Sequence, residues 1–374
     1  MRNNYLGTLY LFELKKILKN KVAMITFLIM VIAAIIVGEG EISGNANAKE
    51  IEQFKKIEGR TIDDNLLEEV KENINEYGEW DKVDPTYENI VSWARSKGDI
   101  HNLTVDALEK DRNDSIQEAK EMSLLSPGEY EYWEKRQDNI DYPGTWYDPL
   151  YSFGITLGLC DLRIVILLFL IPMGLAAVFA AEHQNKTDSI IRASKNGDKR
   201  TYYAKVLAGM SFAIVGTAVI VASFLGYFFI RWGTYYLDLP VNYNYAYTSV
   251  SLTLKEHLWM LTKLIMTGSV LIAAFTLFLS QTLKNALAVM GVSLGVWFVN
   301  VILASTLPLR MRVLSQFIQW LPHTLIDDRI VYEYRLVKLF GRYFTAWDFA
   351  PFMYILFAII FIAAGRFIYD RQER

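Results

Sequence analysis

Few side chains in this sequence are arranged as a reaction centre would need them. The run Gly291-Val292-Ser293-Leu294-Gly295 spells G-x-S-x-G, the pattern of a nucleophile elbow. That elbow needs a strand-to-helix turn, and this copy lies inside an apolar helical stretch. The same residues also read as G-x-x-x-G, with Gly291 and Gly295 spaced to let helix backbones approach closely, so a packing role is expected. The histidines His101, His183, His257 and His323 are scattered and read as ordinary polar residues. Neither a G-x-x-x-x-G-K-[ST] phosphate loop nor an H-E-x-x-H zinc motif is present, so P-loop binding of ATP is excluded. The single cysteine, Cys160, rules out an internal disulfide framework. No catalytic, cofactor-binding or metal-binding residue is expected on this chain.

Charges inside apolar runs are the next candidates, because such groups mark ion paths. Asp161 and Arg163 stand two residues apart and do not face each other on a helix. They read as interfacial anchors or as partners of another helix, with a proton or sodium relay as the alternative. Asn300 reads as an interhelical hydrogen-bonding group rather than a substrate contact. The most informative segment is Phe179–Lys205, FAAEHQNKTDSIIRASKNGDKRTYYAK. A helix ends there near Glu182, an amphipathic piece carries Ile190 and Ile191, and a basic connector follows with Lys195, Lys199, Arg200 and Lys205.

The elements that position these residues are membrane spans. In 374 residues that are 52% hydrophobic, only 21% are charged, and these are bunched between long apolar runs. The spacing predicts an all-α polytopic membrane protein with six spans, at 22–38, 154–181, 206–230, 258–283, 286–305 and 349–368. No cleavable signal peptide is evident. Lys263 lies near the outer end of the fourth span, within snorkelling reach of the interface.

Basic residues near the spans set the orientation. Residues 1–21, the connector 182–205, the turn at Lys284 and the tail 369–374 are basic and are expected in the cytoplasm, at the plasma (cytoplasmic) membrane. The outer loop 306–348, with Arg310, Arg312, Arg329, Arg335, Lys338 and Arg342, argues against that orientation. The loop 231–257 falls on the same outer side. Residues 39–153 hold 28 Asp plus Glu against 13 Lys plus Arg, a net of −15 within an overall −3, and form an acidic extracytoplasmic domain. Helices are expected there over Lys49–Ile57, Leu66–Tyr77, Tyr87–Ser96, Val105–Met122 and Glu129–Asn139. Ser126-Pro127-Gly128-Glu129 reads as a helix start, Thr61 and Asp64 as a weaker one. Trp80, Trp93, Trp133 and Trp146 are expected to form a small core, with an amphipathic rim at the membrane surface as the alternative. The sequons at Asn102 and Asn113 would matter only in a eukaryotic host, and the chain has a bacterial look.

With these residues laid out, the chain resembles the permease subunits of type-2 ABC exporters. Glu13-Leu14-Lys15-Lys16-Ile17-Leu18-Lys19-Asn20-Lys21 is similar to the amphipathic elbow helix before the first span, with Glu13, Lys15, Lys16 and Lys19 among its charged residues. Phe179, Glu182, Thr187, Ser189, Ile190, Ile191, Arg192 and Lys205 follow the family's segment after the second span. The family usually has glycine before the threonine, where this chain has Lys186. The large insert between spans one and two matches a Gram-positive-like subset.

The resemblance implies that 182–194 is a coupling segment docking on a separately encoded ABC-type ATPase. Glu182, Thr187, Ser189, Ile190, Ile191 and Arg192 would carry that contact. ATP and magnesium would bind the partner, and this chain would not itself be an enzyme. A second permease copy or a related permease would complete a dimeric export path, with membrane lipids around it and no nucleic-acid partner. The fifth span and 306–348 would line or cap the exit, with Val313–Trp320 at the membrane surface. The cargo implied is open: a peptide, an antibiotic, a lipid-like molecule or sodium. The reading from another class is a membrane sensor or assembly partner whose extracytoplasmic domain binds a ligand without transport.

Overall fold

The structure is a computed structural model that describes residues 5–43, 52–53, 55–77, 84, 86–97, 102–137, 144–187, 199–241 and 248–371. Two helices, α1 (Tyr5–Lys19) and α2 (Lys21–Ser43), open the chain. The insert holds α3 (Asp64–Tyr77), α4 (Glu88–Ser96), α5 (Val105–Met122) and α6 (Pro127–Gln137). The bundle continues with α7 (Pro149–Gln184), α8 (Lys199–Trp232), α9 (Leu254–Leu283) and α10 (Ala286–Thr306). Short helices α11 (Arg312–Gln319) and α12 (Pro322–Leu325) precede a hairpin, β1 (Val337–Leu339) with β2 (Arg342–Phe344), and the last helix α13 (Ala346–Arg371). Six of these helices, α2, α7, α8, α9, α10 and α13, are long and apolar enough to cross a membrane.

Caps explain where the helices start. Asp148 accepts a hydrogen bond from the Leu150 amide at 2.9 Å, with Pro149 behind it, so α7 begins five residues before the expected Gly154. Thr253 and Glu256 form a capping box that starts α9 at Leu254 rather than 258. Between α9 and α10, Lys284 takes a left-handed conformation and Asn285 caps the Leu287 and Ala288 amides. In the insert, the cap of α3 is Asp63, which accepts from the Leu66 amide at 2.8 Å. The expected Thr61 instead bridges to Thr145. Residues 55–57 lie in a turn rather than a helix; positions 49–51 and 54 of that expected helix lie outside the described residues.

α7 is not one regular helix. It carries a π turn at Ile166–Leu170, Pro172 without an amide proton, and a break at Ala176. The Ser280 hydroxyl of α9 mends the break. It donates to the Ala176 carbonyl at 2.7 Å and accepts from the Phe179 and Ala180 amides at 3.0 Å. The kink is thereby held by a neighbouring helix.

The tryptophans divide between two cores. Trp93 and Trp146 pack at 5.5 Å in a cluster with Ile57, Leu66, Val70 and Ile90. Trp133 joins the main core instead, edge-on to Tyr334 and donating to its carbonyl at 2.7 Å. Trp80 lies outside the described residues.

The insert docks on the loops that follow α8 and α10, so all three gather at one end of the bundle. Glu129, 2% exposed, accepts from the Leu336 amide at 2.7 Å and from the Ser126 amide at 2.8 Å, and pairs with Arg312. Arg112 donates to the Thr248 carbonyl at 2.9 Å. Burial pushes the Glu129 carboxyl up, but the Ser126 and Leu336 amides, the Ser126 hydroxyl and Arg312 outweigh it and hold it below the ordinary carboxylate range.

A depressed folded value stabilises above the unfolded pKa of about 4.3 and is lost as pH falls through the folded value. Replacing Glu129 with Ala strands Arg312 and the Leu336 amide and should cost on the order of 3–5 kcal/mol. Thermal unfolding of the purified protein checks this. The loss between wild type and variant should shrink as the buffer is taken from pH 7 to below 4, and a pH-independent difference contradicts the assignment.

Candidate functional site

At the opposite end of the bundle, four charged side chains from three helices meet. Glu13 and Lys16 stand one turn apart on α1, Glu182 lies in the last turn of α7, and Lys205 lies in the second turn of α8. The Lys205 side chain is 0% exposed. Its ammonium donates to Glu13 Oε2 at 3.0 Å, to Glu182 Oε1 at 2.5 Å and to the Val178 carbonyl at 3.4 Å. Those three acceptors account for its three protons. Lys16 closes the ring, 2.8 Å from Glu182 and 3.1 Å from Glu13. The set is two acids and two bases, so the buried charges balance.

Burial pulls the Lys16 ammonium down, but the hydrogen bond and charge of Glu182, with Glu13, outweigh it and hold it above the ordinary lysine value. Its stabilising contribution is therefore complete below about pH 10.4 and lost as pH rises through the raised value. Lys16 is 43% exposed, so solvent screens much of that contribution.

Aromatic rings surround the foot of the cluster. Lys205 Nζ sits 5.6 Å from the centre of the Phe179 ring, which packs against Tyr202 and Tyr369. The Tyr202 hydroxyl donates to the Ile362 carbonyl at 2.6 Å, and a Cβ at Gly365 would meet that hydroxyl at 2.7 Å. The close approach of α8 and α13 therefore requires glycine there. Arg366 lies over the Tyr202 and Tyr369 rings and pairs with Asp370.

Helix α7 ends in a Schellman motif. The Thr187 amide donates to the Glu182 carbonyl at 3.0 Å and the Lys186 amide to the His183 carbonyl at 3.2 Å, with Lys186 at φ +55°. This is the position where the exporter pattern carries glycine, and the left-handed backbone is the physical reason glycine suits it. Glu182 thus holds the end of α7 twice, its carbonyl taking the Thr187 amide and its carboxylate taking Lys16 and Lys205.

The other sequence-derived candidates are placed as follows. Thr187 is described and exposed; Ser189, Ile190, Ile191 and Arg192 lie outside the described residues. Glu182, expected to contact a partner protein, faces Lys16 and Lys205 instead. Lys15 and Lys19 are exposed, whereas Glu13 is buried against the bundle. Because α7 starts at Pro149, Asp161 and Arg163 stand about three turns into the helix rather than near its beginning; Asp161 is exposed and Arg163 buried. Asn300 donates to the Ile318 carbonyl of α11 at 2.8 Å. Gly291 and Gly295 face outward with open space where a Cβ would be, so the close helix approach they permit is not made among the described residues. Among the described residues no group of three His, Cys, Asp or Glu could hold a metal.

Sequence reasoning missed the role of Lys205. Its signal was a lysine between Ala204 and Val206 at the head of an apolar run, which demands a buried acid. Glu13, the sole acid in the first 38 residues, was the matching signal.

Replacing Lys205 with Met leaves two buried carboxylates sharing Lys16 and should cost about 3–5 kcal/mol. Adding Glu182→Gln restores charge balance with Glu13 and Lys16, so the double variant should regain part of that loss. Strict additivity in a thermal-unfolding cycle contradicts the cluster. Lys186→Gly should stabilise the helix end by up to about 1 kcal/mol, with Lys186→Ala giving no gain.

Comparison with known proteins returns no matching family model, no matching curated protein and no matching solved structure.

Proposed function

We propose that this chain is the permease subunit of an ATP-driven exporter of the type-2 ABC class, working as a dimer with a separate ATPase. The observation that carries the reading is the Glu13–Lys16–Glu182–Lys205 cluster. It fastens an amphipathic N-terminal helix to both roots of the 185–198 connector. A protein pushing on that connector would move the ends of α7 and α8 together with α1, because displacing any one of them exposes or strands a buried charge. A sensor that only binds ligand outside has no need of such a mounting.

In this reading the cluster end faces the cytoplasm, with both termini, and the acidic insert lies outside at the plasma membrane. The arginines that count against that orientation include two held by acids at their own end of the bundle, Arg312 by Glu129 and Arg335 by Glu333. ATP and magnesium bind the partner. Closure of two ATPase subunits draws two connectors together and opens the path outward. The apolar pair Ile190 and Ile191 fills the groove on the ATPase, and Gly291 and Gly295 are free to approach the second permease.

The test is affinity purification of the tagged chain from its native membranes in mild detergent, read by mass spectrometry. An ABC ATPase should co-purify in stoichiometric amount and be lost, by tenfold or more, when Ile190 and Ile191 are both changed to Glu. Recovery of a kinase or another membrane protein without an ATPase would overturn the exporter reading and favour a sensor built on residues 39–153.

A further inference from the structure

A cavity of about 250 Å³ lies among α7, α9, α10, α11, α12 and α13, well above the ~10–15 Å³ needed to hold one water. Its walls are almost wholly apolar, with Leu168, Ile272, Phe275 and Phe361 among them. Three polar side chains face it: Ser293, Asn300 and His323. None of the lining side chains carries a formal charge at neutral pH, since burial and then the Arg163 charge push His323 down to about 4.

The two residues of α10 are the informative ones. Val289, Ser293 and Asn300 are its buried positions, so the stripe this helix turns inward is partly polar while its outward faces are apolar. Ser293 is 8% exposed and Asn300 4%. Asn300 spends its Nδ2 on the Ile318 carbonyl, which fixes its carboxamide oxygen as the free acceptor. That oxygen and the Ser293 hydroxyl are both buried, with no hydrogen-bond partner among the described residues. Each such group in an apolar surround costs free energy until something satisfies it. They stand seven residues apart on one helix stripe, about 10 Å at ~1.5 Å per residue, so one small head group does not reach both.

We propose that this cavity binds an elongated, uncharged amphiphile dissolved in the bilayer, with an aliphatic body and hydroxyl or amide N–H groups at two points about 10 Å apart. One donor meets Asn300 Oδ1 near α11, the other meets Ser293, and the aliphatic stretch lies against the leucines and phenylalanines between. An anionic head group is disfavoured because no cation lines the cavity. The site stands independently of the exporter reading, since it rests on groups within one chain and needs no partner.

Photolabelling tests it. The purified protein in nanodiscs is exposed to a diazirine-bearing straight-chain diol, its monomethyl ether and its dimethyl ether, and labelled peptides are mapped. The expected result is saturable labelling of α10 by the diol, weaker labelling by the monoether and little by the diether. Ser293→Val removes a hydroxyl that bonds nothing among the described residues, so the fold should be unaffected while half-saturation rises about two- to tenfold. Val296→Trp, at the cavity wall, should abolish labelling. Equal labelling by diol and diether, or half-saturation unchanged in Ser293→Val, overturns the proposal and leaves water or plain lipid chains as the occupants.

Discussion

An ammonium with no exposure at all, set among apolar helices, has to be paired where it stands. Lys205 is that group, and much of the geometry at its end of the bundle follows from its needs. Its three protons require three acceptors, and these come from α1, from the last turn of α7 and from the α7 backbone. That requirement adds to the apolar packing of Ile17 and Leu14 in holding the N-terminal helix against the bundle, where Tyr10 also donates to Ser211 at 3.0 Å. It fixes the point at which α7 must stop, and the Schellman turn at Lys186 then sets where the chain leaves the bundle. Desolvation makes Glu13, Glu182 and Lys205 expensive to strand, and the more exposed Lys16 completes their pairing.

The other end of the bundle is organised by a second buried carboxylate. Glu129 gathers the insert, the short helix α11 and the segment leading into β1 through amides and a guanidinium. The two ends are therefore held by different networks. Between them α7 is broken by a π turn and a proline, and α10 is mostly bare of neighbours.

The six apolar helices were legible because hydrophobic runs of that length have few other uses. Their starts were less so. Asp148-Pro149 is a cap followed by a helix-opening proline, a signal outweighed by the charges at Asp161 and Arg163. The cap on α3 went to Asp63 because Thr61 was claimed by a bridge to Thr145. Trp133 left the expected insert core because its indole found the Tyr334 carbonyl, a contact between residues 201 positions apart that no local pattern encodes. At the candidate site, the residue types were visible but not their pairing. Glu13 and Lys205 are 192 residues apart, and only the bundle brings them within 3.0 Å.

The account rests on the cluster holding α1 and the ends of α7 and α8 as one body. Hydrogen–deuterium exchange of wild type and Lys205→Met in the same nanodiscs measures that directly. If the cluster is the clamp, amides of residues 8–19, 178–187 and 201–208 should lose protection together, while 127–137 near Glu129 stays unchanged. Unchanged exchange in α1, or loss confined to α8, would show that these helices are held by apolar packing alone.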